Sequence, residues 1–459
     1  TARAGSTQSQ DLPVALEGDE NALRARIWEY TDKAYKKAQE NFTRVKMNKA
    51  VTAAEDDPSP DFSPARAENF YETVKPQYPD LAAWRGRLKK HSARLAGYNF
   101  IYDSGVTLNY ENENRYMVNS EGARVKTGGN YITLSYYLTG RTTDGMELSR
   151  SEQYNTDSFG GLPPEEKMNA DMDRSISELK ALKDAPIVEP YSGPAILNAR
   201  AAAVYFHEII GHRLEGHRQK LEDLGQTFAK KVGQKVTSDI VTLYDDPNLR
   251  DFRGIPLRGY YRYDNEGVKA QRVSLVENGV LKGFLMNRSP IRGFPASNGH
   301  GRRSSGRPTV ARMGNLVMQA SVTSAYPELR KQLIEECKKQ GKPFGLVFDD
   351  ISGGFTNTDR GDAQAFKVIP LLVYKVYTDG RPDEVVRGVD IVGTPITSFS
   401  KISAAADDDG VFNGTCGAES GWVPVSAVSP SVLISEIEVE KSQKSQEKPP
   451  VLAPPLHDK

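Results

Sequence analysis

The sequence predicts an α+β fold, in which an N-terminal domain of helices and antiparallel sheet precedes a β-rich C-terminal domain. Three observations predict this fold class. Apolar residues recur at helical spacing in a charged N-terminal stretch, short β-favouring runs follow residue 99, and many strand-like runs separated by turn residues follow residue 193. The length of 459 residues favours two or three domains.

The prolines near residue 190 indicate a domain boundary. We expect an N-terminal α+β domain at residues 21–190 and the β-rich domain at residues 191–440. Residues 1–20 are expected to form a flexible segment. Residues 441–459 are rich in Ser, Gln, Lys and Pro, and they hold too few apolar side chains to order themselves, so a disordered tail is expected there.

Four long helices and one sheet are predicted from local patterns. The spacing of Leu23, Ile27 and Tyr30 predicts a long amphipathic helix. The helices are expected at residues 21–51, 80–96, 163–182 and 325–340. Short strands are expected at Val106–Tyr110, Tyr116–Asn119 and Tyr131–Leu138. The β-rich domain also holds one apolar helix at residues 198–214, which carries the most informative segment of the chain.

The composition excludes several classes of protein. Sixty Lys and Arg residues balance sixty Asp and Glu residues, so no overall basic field attracts nucleic acid or an anionic membrane. No apolar run approaches the roughly 20 residues that span a bilayer. Only Cys337 and Cys416 are present, which excludes a disulfide framework.

The segment His207-Glu208-Ile209-Ile210-Gly211-His212 places two imidazoles around a carboxylate in a chain with six histidines. We expect about 0.005 such patterns per chain by chance. Two imidazoles and a third ligand leave one position of a tetrahedral zinc ion open for water, and a neighbouring carboxylate can accept the proton of that water. The pattern suits metal-assisted hydrolysis, and two ordinary core histidines are the alternative.

The spacing of these histidines requires a break in the helix. Residues at i and i+5 lie about 140° apart around a regular helix, which is too far to bind one ion. Gly211 permits backbone angles that other residues avoid. We therefore predict a bulge or a helix end at residues 210–212.

Further segments resemble one family in their order along the chain. The segment from His207 to His212, followed by Leu214-Glu215-Gly216, resembles the metal-binding helix of the TldD/PmbA family of metallopeptidases, once described as modulators of DNA gyrase. The other matching segments are Asn298–Arg303, Arg312–Asn315, Ile351–Gly354 and Thr415–Glu419. The resemblance covers the β-rich domain, which would be the metallopeptidase domain and would carry the metal-binding helix.

The resemblance implies a metal site and a role for each of its residues. His207, His212 and Cys416 would bind one divalent metal ion per chain, Zn²⁺ or Fe²⁺, and Glu208 would be the general base. His217 is a rival third ligand, although Gly216 indicates that the helix has ended before it. His300 is a further candidate ligand.

Candidate substrate-binding residues lie in two glycine-rich segments. The loop that holds His300, Arg302 and Arg303 offers guanidinium groups for a substrate carboxylate or an oxyanion, with a solvated loop as the alternative. Gly353 and Gly354 would let a peptide backbone approach a strand closely, although a plain β-bulge explains them equally well.

The function implied by the resemblance is metal-dependent cleavage of extended or unfolded peptides. The enzyme would be a homodimer or a heterodimer with a paralogue, with no nucleic-acid or membrane partner. A cytoplasmic location is expected from the family, and export stays open because the chain begins with Thr1. The alternative function is a non-catalytic peptide-binding or scaffold protein whose metal is structural, with His217 as its fourth ligand.

Overall fold

The computed structural model describes residues 18–49, 59–220, 227–358 and 365–442. The predicted flexible segment and disordered tail fall almost entirely outside the described residues. Within them, no helix is long and apolar enough to cross a membrane.

The α-helices of the described residues include all four long helices that the sequence predicts. They are α1 (Glu20–Lys49), α2 (Leu81–Ala96), α3 (Glu165–Asp184), α4 (Ala199–Ile209), α5 (Tyr326–Lys339) and α6 (Pro395–Ser400). Asp80 caps α2, because its carboxylate accepts hydrogen bonds from the backbone N–H groups of Ala82 and Ala83. The predicted bounds of α1, α2, α3 and α5 are confirmed to within three residues. The apolar helix α4 ends at Ile209, earlier than predicted.

The N-terminal sheet is built on one long hairpin. Its strands are β1 (Asn69–Tyr71), β2 (Ile101–Val118), β3 (Arg124–Arg141) and β4 (Glu147–Thr156). β3 pairs antiparallel with β2 and β4, and parallel with β1. The prediction of short separate strands is wrong, because polar residues that resemble turns lie inside the strands. Asn112, for example, is paired with Asn130, and the two side chains share a hydrogen bond of 2.9 Å.

The C-terminal region is rich in strands, as predicted. In chain order they are β5 (Tyr191–Leu197), β6 (Val241–Asp245), β7 (Asp251–Phe252), β8 (Ile255–Pro256), β9 (Val273–Glu277), β10 (Val280–Leu281), β11 (Gly301–Arg302), β12 (Val310–Ala311), β13 (Asn315–Ala320), β14 (Phe344–Thr356), β15 (Phe366–Tyr377), β16 (Glu384–Val386), β17 (Val389–Gly393), β18 (Ile402–Ala405), β19 (Gly410–Ala418), β20 (Gly421–Ser429) and β21 (Val432–Lys441). Together with the helices, they give a mixed α and β protein.

Two larger sheets enclose helix α4. One has the strand order β10-β9-β6-β13-β20-β19. The other has the order β14-β5-β21-β17-β15-β16, and it closes into a ring because β14 also pairs with β15. Nine of the eleven residues of α4, from Ala201 to Ile209, are buried. Burial of this helix fixes the position of the two polar side chains in its last turn.

The N-terminal and C-terminal regions share part of their packing. Leu372 on β15 lies in the hydrophobic core formed by the N-terminal sheet and α3. Arg150 on β4 forms a buried ion pair of 2.9 Å with Asp350 on β14. The division into domains at residue 190 stays a prediction.

Candidate metal centre

The end of α4 turns two histidine rings toward each other. After Ile209 the chain leaves the α-helix at Ile210 and continues as a 3₁₀ helix over Gly211–Leu214. This turn brings the rings of His207 and His212 to a centroid distance of 4.9 Å. The predicted helix end between the two histidines is confirmed.

Gly211 permits this turn because there is no space for a side chain between residue 211 and the neighbouring strand. A Cβ atom at this position would lie 2.2 Å from the sulfur of Met313 and 3.3 Å from a methyl carbon of Leu316. Both distances are shorter than an ordinary contact of about 3.5 to 4.0 Å. A larger residue would require either the buried Met313 side chain to move or the His212 segment to shift away from β13 and the turn before it.

Cys416 on β19 completes a cluster of three potential ligands. Its Sγ atom lies 3.1 Å from Nε2 of His207 and 3.2 Å from Nε2 of His212. The three atoms lie within 4.8 Å of one another, and all three side chains are buried. Two imidazole nitrogens and a thiol sulfur that converge in this way form a donor set suited to zinc, with room for a further ligand.

The charges in this cluster favour a thiolate. Burial by itself would raise the pKa of the Cys416 thiol, but the imidazoles of His212 and His207 lower it well below its usual value. A thiolate is the form of cysteine that binds metals. The chemistry of the residues therefore fits a metal ion.

A buried carboxylate orients one of the histidines. His212 donates a hydrogen bond of 3.2 Å from Nδ1 to Oε1 of Glu215, which leaves Nε2 to face Cys416. Burial opposes ionisation of Glu215, yet His212 and Arg218 lower its pKa to about 2. Glu215 thus stays charged and holds the tautomer and the angle of the imidazole.

Arg312 connects the segments that carry these ligands. Its Nη2 atom donates a hydrogen bond of 2.8 Å to the carbonyl oxygen of Cys416, and its Nε atom lies 3.3 Å from Oε1 of Glu215. Arg312 and Glu215 are both fully buried. In the sequence both residues stand only within longer matching segments. A charged residue just after the ligand motif is the signal that could have singled out Glu215, and no local signal points to Arg312.

Glu208 lies beside the cluster, and strand β14 packs closely against its side chain at Gly354. A Cβ atom on Gly354 would lie 2.9 Å from Cγ of Glu208. Burial raises the pKa of the Glu208 carboxyl above its usual value. Gly354, expected to contact substrate, therefore also makes space for Glu208, while a Cβ on Gly353 would meet no atom within 4 Å.

The structure does not bring His217 or His300 into the cluster. His217 donates from Nε2 to Oε1 of Glu419 at 2.5 Å. His300 is fully buried, and its Nε2 atom lies 3.1 Å from the Asp245 carboxylate. Both rings thus form hydrogen bonds with acidic side chains and lie outside the cluster of His207, His212 and Cys416.

In the loop that holds His300, Arg302 and Arg303, some side chains lie in the interior and others line a cavity. Arg302 and Arg303 line a cavity of about 620 Å³, together with Thr415, the neighbour of Cys416. His300 does not line this cavity, because its hydrogen bond to Asp245 holds the ring in the interior. A contact of His300 with substrate stays a prediction.

Comparisons with known proteins agree with the resemblance noted in the sequence. A metalloprotease of Methanocaldococcus jannaschii is 26% identical over 316 residues, which cover 68% of this chain and 64% of that protein. A metalloprotease TldD homolog of Haemophilus influenzae is 31% identical, over 54% of this chain and 48% of that protein. A zinc metalloprotease TldD homolog of Saccharolobus solfataricus is 25% identical, over 58% of this chain and 54% of that protein. The chain thus spans about half to two thirds of the length of these relatives.

A solved structure shows the same fold. TldE from Thermococcus kodakarensis superposes with a TM-score of 0.58 and 18% identity, over 89% of this chain and 85% of that protein. The sequence profile of the PmbA/TldA metallopeptidase C-terminal domain matches residues 190–441, more than half of the chain. By this match, the chain belongs to the PmbA/TldD family.

Proposed function

We propose that this protein is a metal-dependent endopeptidase that hydrolyses peptide bonds in extended or unfolded peptides. One observation carries the proposal, namely the convergence of His207, His212 and Cys416 within 4.8 Å beside the buried carboxyl group of Glu208. The metalloprotease names of the relatives support the same reaction class.

His207, His212 and Cys416 would hold one divalent metal ion. Zinc is our first choice because a relative carries zinc in its name, and Fe²⁺ also suits two imidazoles and a thiolate. When bound, such an ion polarises a carbonyl group and lowers the pKa of water. Glu215 keeps Nδ1 of His212 protonated, so that Nε2 is the atom available for binding.

Glu208 would transfer the protons of the reaction. Its carboxylate takes a proton from the attacking water and then gives that proton to the nitrogen of the leaving amine. Burial raises the pKa of this carboxyl, which brings it closer to neutrality and helps it to act in both directions. Gly354 keeps the side chain free of the strand beside it.

Strand β19 offers a place for an extended substrate. Within the described residues it is the last strand of its sheet, so its outer edge has backbone groups that can pair with a peptide. Cys416 lies on this strand, and a peptide paired there would pass close to the three ligands. Arg302, Arg303 and Gly353 are further candidates for substrate contact. We also propose a homodimer or a heterodimer with a paralogue.

A scaffold protein with a structural metal is the competing function. A structural zinc site has four protein ligands, and His217 was the fourth candidate. The position of His217 disfavours that arrangement, because among the described residues the converging ligand atoms belong to His207, His212 and Cys416. Its Nε2 atom instead donates to Glu419 at 2.5 Å. The endopeptidase therefore has the stronger support.

The substitution Glu208→Gln tests the proposal. Cleavage of unstructured fluorogenic peptides and metal content by mass spectrometry are measured on the wild type, Glu208→Gln and the control Glu166→Gln, an exposed acid on α3. We expect Glu208→Gln to keep its metal and to lose at least about 100-fold in turnover. Equal turnover in all three proteins would reject Glu208 as the general base, and absence of cleavage in the wild type would favour the scaffold.

A further inference from the structure

A second polar site lies on the opposite face of β19 from Cys416. The cavity of about 620 Å³ is bordered by Thr415, by strand β3 and by the segment 256–265. Successive residues of a strand point to opposite faces. Thr415 therefore points toward the cavity, while its neighbour Cys416 points toward the two histidines.

Two arginines in the cavity wall have no carboxylate partner within the described part of the chain. Arg302 donates from Nη1 to the carbonyl oxygen of Met313 at 2.6 Å, and its guanidinium lies 4.7 Å from the ring centre of Tyr261. Arg258 donates from Nη1 to Oδ1 of Asn155 at 3.2 Å. Among the described residues, no carboxylate oxygen lies within 4.0 Å of either guanidinium group.

Other arginines in the same wall are paired. Arg115 forms an ion pair of 2.9 Å with Glu113, and Arg262 lies 3.9 Å from Glu72. The unpaired arginines are thus a local exception rather than a general property of this wall. Arg302 is more than nine-tenths buried, so its charge has little solvent around it.

A buried cation with no carboxylate in direct contact is unfavourable, and a ligand anion would relieve this cost. Asp245 and Glu111 favour the charged forms of Arg302 and Arg258 from beyond 4.0 Å. Burial lowers the pKa of both guanidinium groups from their usual values. Guanidinium groups bind carboxylates through two parallel hydrogen bonds, which gives both strength and direction. The remaining N–H groups of Arg258 and Arg302 can serve that purpose in the cavity.

The rest of the lining limits the ligand to a single carboxylate. Glu111 and Asp157 also line the cavity, and they would repel an anion with many charges. Tyr131 and Trp422 provide aromatic surface for the apolar parts of a ligand. These features suit a peptide better than a nucleic acid or a polyphosphate.

We propose that this cavity binds a carboxylate of a peptide and that Arg258 and Arg302 supply the positive charge of its wall. The choice of a peptide rests on the proposed function, whereas the choice of a carboxylate rests on the two unpaired arginines. The carboxylate can be the C-terminal group of the peptide or the side chain of Asp or Glu. Binding there would hold the peptide on one face of β19 and so bias which bond reaches the ligand cluster.

Calorimetry with three peptides tests this site in the full chain carrying Glu208→Gln. All three are N-acetylated pentapeptides of small neutral residues. The first has a free C terminus, the second is amidated, and the third is amidated and contains one Glu. We expect the first or the third to bind at least about tenfold more tightly than the second, according to the source of the carboxylate.

Substitution of the arginines completes the test. Arg258→Gln should reduce binding of the preferred peptide about tenfold, and the control Arg381→Gln, at an exposed arginine paired with Asp379, should not. Arg258 carries the test because Arg302→Gln also removes the hydrogen bond to Met313. Circular dichroism confirms that each variant is folded.

The outcomes separate this site from the proposed function. Equal affinity for all three peptides, or full affinity in Arg258→Gln, would overturn the carboxylate site. Carboxylate-dependent binding by a wild type that cleaves no peptide would remove the endopeptidase and keep the site. Cleavage without any preference for a carboxylate would overturn the carboxylate site and keep the endopeptidase.

Discussion

The substitution Gly354→Ala tests how the structure positions Glu208. A Cβ atom at residue 354 would lie 2.8 Å from the carbonyl oxygen of Lys367 and 2.9 Å from Cγ of Glu208. Ordinary carbon contacts begin near 3.5 Å, so the added methyl group overlaps Glu208 by about 0.6 Å or more. The Lys367 carbonyl belongs to β15, which is paired with β14, and it has little freedom to move. The overlap with this carbonyl displaces residue 354 itself, and the overlap with Glu208 is relieved by a shift of the Glu208 side chain.

The expected effect falls on turnover more than on metal binding. A shift of about 1 Å in a catalytic group costs on the order of 100-fold in rate, or about 2.7 kcal/mol in activation free energy. Overpacking of this kind also costs about 1 to 3 kcal/mol of stability. The three atoms nearest to the added methyl group belong to Lys367 and Glu208 and not to a proposed ligand, so the metal content should stay the same.

The assay compares Gly354→Ala with Gly86→Ala in the turnover number, the metal content and the melting temperature. A methyl group added at Gly86 meets no atom within 4 Å, which makes it a suitable control. Wild-type turnover in a folded Gly354→Ala variant would refute the reasoning about Glu208. Loss of metal would show that the close packing of Gly354 against Glu208 supports metal binding by the ligand cluster rather than the position of the general base.

Two further predictions follow from buried carboxyl groups. Glu215→Gln should weaken zinc binding about 10- to 100-fold, because the amide orients His212 less firmly than the carboxylate; competition with a chelator measures this, and unchanged affinity would contradict it. Burial, and to a smaller extent the charge of Asp264, raises the pKa of Glu266 from 4.5 to about 8. Between these pH values the folded protein holds a proton that the unfolded chain releases. The free energy of unfolding should therefore fall by about 2 kcal/mol as the pH rises from about 4.5 to 8, a figure reduced for the partial exposure of Glu266. Urea denaturation should show a smaller fall in Glu266→Gln. A variant with the same pH dependence as the wild type would contradict the assignment.

Local patterns in the sequence predicted the helices well. Helix α2 begins after a capping Asp80, and its apolar spacing extends over several turns, so neighbouring residues determine it. The helix end near Gly211 was also predictable, because two histidines at i and i+5 of a regular helix cannot bind the same metal ion. The long hairpin was missed, since Asn112 and Asn130 are typical of turns, and their place in strands depends on the pairing of β2 with β3 along its whole length.

Contacts between distant residues explain why the site was only partly predictable. The resemblance to a family suggested that Cys416 would join the two histidines, and the structure brings them together across more than 200 residues. Their role as ligands stays a prediction. The burial of His300 depends on Asp245, which is 55 residues away, and no local pattern indicates this pair. The unpaired charge of Arg258 likewise becomes visible only when the residues around the cavity are known.

The metal content of the purified chain tests the central claim most directly. Elemental analysis is carried out on the wild type, Cys416→Ala and His217→Ala, with the oligomer mass measured on the same samples. We predict about one zinc or iron ion per chain in the wild type and in His217→Ala, and loss of that ion in Cys416→Ala. A metal ion retained without Cys416, or lost without His217, would contradict the proposed centre.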